Sequence, residues 1–328
     1  MTSPNGAKPA GGARQMGNTG LVVGRLGYGA MELAGAPRAR AIGEREAIRF
    51  INRAIDLGID YIDTSIDYGL SELLIGKAVA HRRAEFILAS KCACQAGVDP
   101  GQKGESHIYT GENVTAGVEQ SLRRLKTDYL DVVQVHGNPT RKELEEGGVI
   151  DALLSLQRQG KVRHLGISQR LPLLAEFVEV DCFSVFQVPY SALQRQNEDI
   201  IAALRQSGKA VVCRGVTGRG APAKGWATRP IGTADGEVRA LWERAGLDDL
   251  LGEMSRIEFM IRFALANDNV DVALVATTDE AHLAADIDYA GKGPLDAALF
   301  RMACRRLADV GGGPGQGQYR GGGPSPVL

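Results

Sequence analysis

Arg25-Leu26-Gly27-Tyr28-Gly29-Ala30-Met31-Glu32 opens the repeating part of this chain, and the way the run continues decides the fold. A first strand that leads into a Gly-x-Gly-x-x-Gly turn marks an open, doubly wound sheet, because those glycines let the backbone approach a pyrophosphate. Here the run passes through Gly29-Ala30-Met31-Glu32 without that turn. Downstream, seven more short apolar runs alternate with longer segments of helical period, which is the pattern of a parallel sheet with crossover helices. The eight expected strands are 25–29, 59–62, 86–89, 130–135, 162–166, 183–186, 210–213 and 272–275. Eight strands, each followed by helical sequence, predict a (β/α)8 TIM barrel.

The connecting segments support this reading. Segments 46–57 and 114–125 place apolar residues at i, i+3 and i+4. Thr140-Arg141-Lys142-Glu143 has the form of a capping box and sets a helix start after the fourth strand. Apolar residues on either side of Asn18-Thr19-Gly20 predict an N-terminal β-hairpin ahead of the barrel. The expected organisation is a flexible lead-in over 1–13, one barrel over 14–310, and a Gly/Pro-rich tail over 311–328. No apolar stretch near the start resembles a signal peptide.

The balance of 38 basic and 39 acidic residues gives no electrostatic reason to expect nucleic acid or an anionic membrane as a partner. Five scattered cysteines do not form a disulfide framework and point to a reducing, cytoplasmic setting. Cys92-Ala93-Cys94 is the one close pair. Residues that would complete a zinc set are missing from its surroundings in the sequence, so it reads as two small loop residues and no metal is expected.

Barrel active sites are built at the C-terminal ends of the strands. The second run stops at Asp63, the third at Lys91, the fourth at His136 and the fifth at Ser168-Gln169; the sixth stops at Gln187 and the seventh at Arg214. Any one of these is ordinarily a turn residue, a solvated strand end or a packed histidine. Their coincidence on one rim points to chemistry.

The chain resembles the aldo-keto reductase superfamily over nearly the whole barrel. The resemblance rests on Gly58-Ile59-Asp60-Tyr61-Ile62-Asp63-Thr64-Ser65-Ile66-Asp67-Tyr68-Gly69, on the segment 121–131, on Gly160–Ser168 and on Gln187-Val188-Pro189-Tyr190-Ser191. It implies a catalytic tetrad of Asp63, Tyr68, Lys91 and His136. Reducing a carbonyl with hydride leaves an alkoxide that needs a proton from a placed acid. The tetrad makes Tyr68 that acid, with Lys91 drawing its pKa toward neutrality, Asp63 holding Lys91, and His136 hydrogen-bonding the substrate oxygen.

The resemblance also implies cofactor contacts. Gly29, Ala30, Met31 and Asp63 lie where the first two strands end. Ser168, Gln169 and Gln187 match residues that bond the nicotinamide carboxamide, although Gln169 replaces the usual Asn. Arg214 stands where many members stack an aromatic ring, and its planar guanidinium can also lie against a ring. Gly215–Gly220, with Arg219, resembles the loop that clasps the pyrophosphate. After the eighth strand, Thr277, His282 and Asp286 match the adenosine-phosphate segment in weakened form: Ala276 offers no charge, and His282 replaces a frequent Arg.

NADP(H) is therefore expected, with His282 a conditional cation and NAD(H) an alternative. The substrate is a small carbonyl or alcohol whose identity lies in the loops after the third, fourth and seventh strands; the first of these holds His107 and Tyr109 and the last Trp226, and Tyr109 and Trp226 either line a pocket or pack the loops on the rim. Two other readings fit the residues less well: a regulatory barrel that binds cofactor without turnover, and a Schiff-base lyase acting through Lys91.

Overall fold

The computed structural model describes residues 8–34, 41–99, 102, 107–220 and 234–315. An antiparallel hairpin of β1 (Ala13–Gln15) and β2 (Val22–Gly24) precedes the repeat, as expected. Eight parallel strands follow: β3 (Leu26–Gly29), β4 (Tyr61–Asp63), β5 (Ile87–Cys92), β6 (Leu130–His136), β7 (Val162–Ser168), β8 (Phe183–Pro189), β9 (Ala210–Arg214) and β10 (Val272–Val275). They close in sequence order, with β10 pairing both β9 and β3, so the sheet has no open edge.

The helices outside are α1 (Glu44–Asp56), α2 (Ser71–Val79), α3 (Gly111–Leu125), α4 (Arg141–Glu146), α5 (Val149–Arg158), α6 (Glu198–Gln206), α7 (Ala234–Arg244), α8 (Arg256–Leu265), α9 (Glu280–Gly291) and α10 (Ala297–Asp309). In α1, Ala47, Phe50, Ile51, Ala54 and Ile55 form one buried stripe against the sheet. The capping box is present at α4: the Thr140 hydroxyl accepts from the Glu143 amide while the Glu143 carboxylate accepts from the Thr140 amide.

Strand pleating divides the apolar side chains into two cores. One lies between sheet and helices. The other fills the barrel with Tyr61, Ala89, Val132, Val185, Ala210, Val212, Val272 and Leu274, and Met16 and Val23 of the hairpin close it from below. Gly27 belongs to this interior, since a Cβ there would come within 2.8 Å of Val272 and 2.9 Å of Leu274. Because alternate residues share a face, Asp63 follows Tyr61, Lys91 follows Ala89, Gln134 follows Val132, Gln187 follows Val185 and Arg214 follows Val212. The apolar interior is thus topped by a polar layer at the C-terminal end.

The structure revises several boundaries. β4 starts at Tyr61, not Ile59, because the Ile59 amide is taken by the Ala54 carbonyl at the end of α1. β8 runs past Gln187 to Pro189. Packing begins before Arg14: Ala10 is buried, its amide donates to Gly58 and its carbonyl accepts from Leu26, so the lead-in is not free over its whole length. Packing also continues past Val310, since the Gly312 amide donates to Leu307 and both Gly312 and Gly313 are buried. Trp226 and the segment 316–328 lie outside the described residues. Among the described residues no helix is long and apolar enough to cross a membrane.

Candidate active site

The polar layer converges on one carboxylate. Lys91, from β5, donates 2.6 Å to Asp63 Oδ2 at the end of β4, and 2.8 Å to the Thr64 carbonyl. The other oxygen, Oδ1, accepts from Gln134 Nε2 of β6 at 3.0 Å and from Gln187 Nε2 of β8 at 2.8 Å. Side chains of four strands therefore meet at Asp63, and both oxygens are occupied. Burial by itself lowers the Lys91 pKa; Asp63 and the neighbouring Tyr68 outweigh it, and the net effect holds the ammonium above its ordinary range.

Tyr68, in the turn after β4, is brought over this pair, with the Lys91 ammonium 4.8 Å from its ring centroid. Burial pushes the Tyr68 phenol up to about 12, against the downward pull of Lys91. The expectation of a net fall toward neutrality is corrected here, because desolvation of the phenolate exceeds the attraction of one ammonium already neutralised by Asp63. Tyr68 consequently holds its proton at neutral pH. His136, at the end of β6, faces Tyr68 edge-on with ring centroids 6.4 Å apart. Burial depresses the His136 pKa, opposed by Asp67, so the ring is neutral. The four tetrad residues, from three separate stretches of the sequence, thus share one corner of the rim.

The expected carboxamide contacts also cluster. The Ser168 hydroxyl donates to Gln187 Oε1 at 2.9 Å, so Gln187 bridges Ser168 and Asp63. Gln169 spends its amide nitrogen on the Pro139 carbonyl, while its Oε1 is buried without a hydrogen-bond partner. A buried acceptor in that condition suits an external N–H. Gly29 pairs in register with Asp63, Ala30 is buried and Met31 is half-buried, at the start of a single-turn helix, Ala30–Ala34. Arg214 ends β9 and is half-buried. Gly215 follows in the left-handed region at φ 72°, turning the chain toward Gly218–Gly220. The side chain of Arg219 lies outside the described residues.

The far end of the expected cofactor track is less favourable to an anion. Tyr28 tethers the Thr277 carbonyl at 3.0 Å. Asp279 caps α9 and occupies the amides of Ala281 and His282, which puts a carboxylate where a helix start otherwise attracts phosphate. His282 is exposed in the first turn. Asp286 is buried, which pushes its carboxyl up to about 7.

Sequence reasoning missed Gln134 and the neighbours of His136. Gln134 was detectable, being an uncharged polar residue two places before His136 in an otherwise apolar strand. Cys94 was not: its Sγ lies 3.2 Å from His136 Nδ1, and the His107 ring packs edge-on to His136 with centroids 5.1 Å apart. Ligand-type residues absent around Cys94 along the chain are therefore present around it in space.

A family model described as the Aldo/keto reductase family matches residues 25–302. An uncharacterized oxidoreductase of Bacillus subtilis is 30% identical over 63% of this chain and 65% of its own length. L-galactose dehydrogenase of Arabidopsis thaliana is 34% identical over 49% of each chain. Pyridoxine 4-dehydrogenase of Escherichia coli is 31% identical over 58% of this chain and 68% of its own. The chain thus spans between about half and two thirds of the length of the first two relatives. Among solved structures, an aldo-keto reductase of Bacillus halodurans in its holo form superposes with a TM-score of 0.77 at 28% identity, covering 90% of this chain and 95% of that one.

Proposed function

Because this chain belongs to the aldo/keto reductase family, we propose that it is an oxidoreductase interconverting a small aldehyde or ketone and its alcohol, with Tyr68 moving the proton. The observation that carries this is the meeting of Tyr68 with the buried Lys91–Asp63 pair and a neutral His136 at one point of the rim.

A bound nicotinamide dinucleotide supplies or accepts the hydride. Tyr68 keeps its proton until the substrate oxygen gains charge, and then releases it to that oxygen. The phenolate left behind faces the Lys91 ammonium, whose charge is fixed by Asp63 and, through Asp63, by Gln134 and Gln187. His136 hydrogen-bonds the substrate oxygen and orients it. In the alcohol-oxidising direction the same residues return the proton to Tyr68.

Ser168, Gln169 and Gln187 would hold the carboxamide, and the unpartnered Gln169 oxygen fits an amide N–H. Gly29, Ala30 and Met31 would border the nicotinamide, and Arg214, Gly215 and Arg219 would serve the pyrophosphate. Thr277, His282 and Asp286 would take the adenosine end. With His282 opposed by Asp279 there, we assign NADP(H) as the working cofactor with weak discrimination against NAD(H). The dehydrogenase names of the Arabidopsis and Escherichia coli relatives support a small-molecule alcohol or carbonyl substrate. A Schiff-base role for Lys91 is disfavoured, since an ammonium locked to Asp63 is not a nucleophile.

The test is a panel of aldehydes, ketones and alcohols with each cofactor, followed by absorbance of the reduced nicotinamide. Substrate-dependent consumption or formation is expected. A protein that binds cofactor yet turns over no member of the panel is a regulatory barrel instead.

A further inference from the structure

The loop after β5 and the end of β6 place three metal-type ligands together. One donor atom each from Cys94, His107 and His136 lie within 4.8 Å of one another. Cys94 Sγ is 3.2 Å from His136 Nδ1, and Asp67 Oδ2 is 3.7 Å from the same nitrogen. The His107 Nε2 atom is buried with no hydrogen-bond partner. A tetrahedral zinc ion, with bonds of about 2.0 to 2.3 Å, needs donor separations of about 3.5 Å. The 3.2 Å pair would open slightly, and separations of up to 4.8 Å would close by as much as about 1.3 Å to reach that spacing.

The described residues that flank these donors are tied together. Asn113 Nδ2 donates to the carbonyls of Ala93, Cys94 and Ile108, its Oδ1 accepts from the Ala96 amide, and the Ile108 amide donates to Ala93. One side chain at the start of α3 thereby clamps both ends of the excursion that bears Cys94 and His107. Ala93 is held at φ 74°, a conformation that a side chain disfavours and that sets the direction of Cys94. His107 lies parallel to Tyr109, whose hydroxyl donates to the His136 carbonyl at 3.3 Å. Gly137, at φ 100°, leaves the space that His107 and Tyr109 occupy; a Cβ there would stand 2.2 Å from the Tyr109 oxygen and 3.0 Å from the His107 ring.

We propose that Cys94, His107 and His136, with Asp67 or water as the fourth ligand, form a binding site for a borderline-soft divalent cation of the Zn2+ class. Thiolate and imidazole donors select such ions over Mg2+ or Ca2+. Cys94 gives its thiol proton to solvent on coordination. The ion fixes His136 through Nδ1, and so acts on the ring that the proposed function assigns to the substrate oxygen. Metal binding by itself does not depend on that assignment; inhibition does.

The test uses the full-length chain, stripped with chelator and titrated with Co2+, which reports thiolate ligation through a near-ultraviolet charge-transfer band. The band should saturate at one equivalent and be displaced by Zn2+. It should vanish in Cys94→Ser, persist in Cys92→Ala, and saturate at least ~10-fold more weakly in His107→Gln, ligand loss being no milder than loss of an outer-shell partner. Absence of the band in the parent, or its survival in folded Cys94→Ser, overturns the site. If Cys94→Ser does not fold, unchanged affinity in His107→Gln overturns it equally. Zn2+ should also inhibit carbonyl reduction by the parent and inhibit Cys94→Ser at least ~10-fold more weakly, each compared with its own metal-free rate. A stoichiometric band without inhibition upholds the site and counts against the role given to His136.

Discussion

Lys91 and Asp63 are joined at 2.6 Å with only 1% and 5% of their side chains exposed, and Gln134, Gln187 and the Tyr68 ring gather on this pair. Both charges are out of water, so the geometry must repay their desolvation. It does so with amide donors from Gln134 and Gln187 on the second Asp63 oxygen. The pair therefore keeps a positive charge beside Tyr68 in a place where water cannot dilute it.

Replacing Lys91 by Met leaves Asp63 buried without its ion-pair partner. We expect a loss of about 3–5 kcal/mol in denaturant unfolding, the scale for breaking a buried pair, together with loss of turnover. Adding Asp63→Asn should restore most of the stability and none of the turnover. A double variant as unstable as the single one contradicts the account of the pair.

Tyr68→Phe removes the proton donor and keeps the ring over Lys91. Turnover should fall at least ~100-fold, the scale of general acid catalysis, with reduced-cofactor affinity nearly unchanged by fluorescence titration. Near-normal turnover would take Tyr68 out of the mechanism.

Asp286 yields a pH-dependent prediction. Its carboxyl is raised from 3.8 to about 7 by burial. The folded chain therefore binds a proton there that the unfolded chain has released, and stability falls as pH rises through that window. At about 1.4 kcal/mol per unit, the ceiling is about 4 kcal/mol. Asp286→Asn should raise the melting temperature more at pH ~8 than at pH ~5. An equal gain at both pH values would show that the carboxyl titrates normally.

His282→Arg places a permanent cation in the exposed first turn of α9. The preference for NADPH over NADH, read as the ratio of kcat/KM values, should strengthen, chiefly through tighter NADPH binding, since Arg can grip phosphate with two donors. An unchanged ratio means that the 2′-phosphate lies elsewhere.

The fold was legible because its determinants are local and periodic. Eight apolar runs, the hairpin around Asn18-Thr19-Gly20 and the Thr140–Glu143 capping box all appear where the sequence places them, since strand pleat and helix cap depend on near neighbours. Strand ends moved by up to three residues, as at Ile59, where a carbonyl of α1 competes for the amide, and at Pro189.

The residue types on the rim were equally legible, because in a closed parallel barrel every strand must end on the same face. The sequence alone determined that Asp63, Lys91, His136, Ser168, Gln187 and Arg214 share that face. Tertiary structure alone decided what each one touches. Gln187 serves Asp63 as well as Ser168. Desolvation carries Tyr68 up instead of down. Cys94 and His107 lie against His136, with Asn113 bonded to the carbonyls of Cys94 and Ile108 beside them. These outcomes depend on distances across the barrel and on how much water is excluded, and neither quantity has a signature in residue spacing.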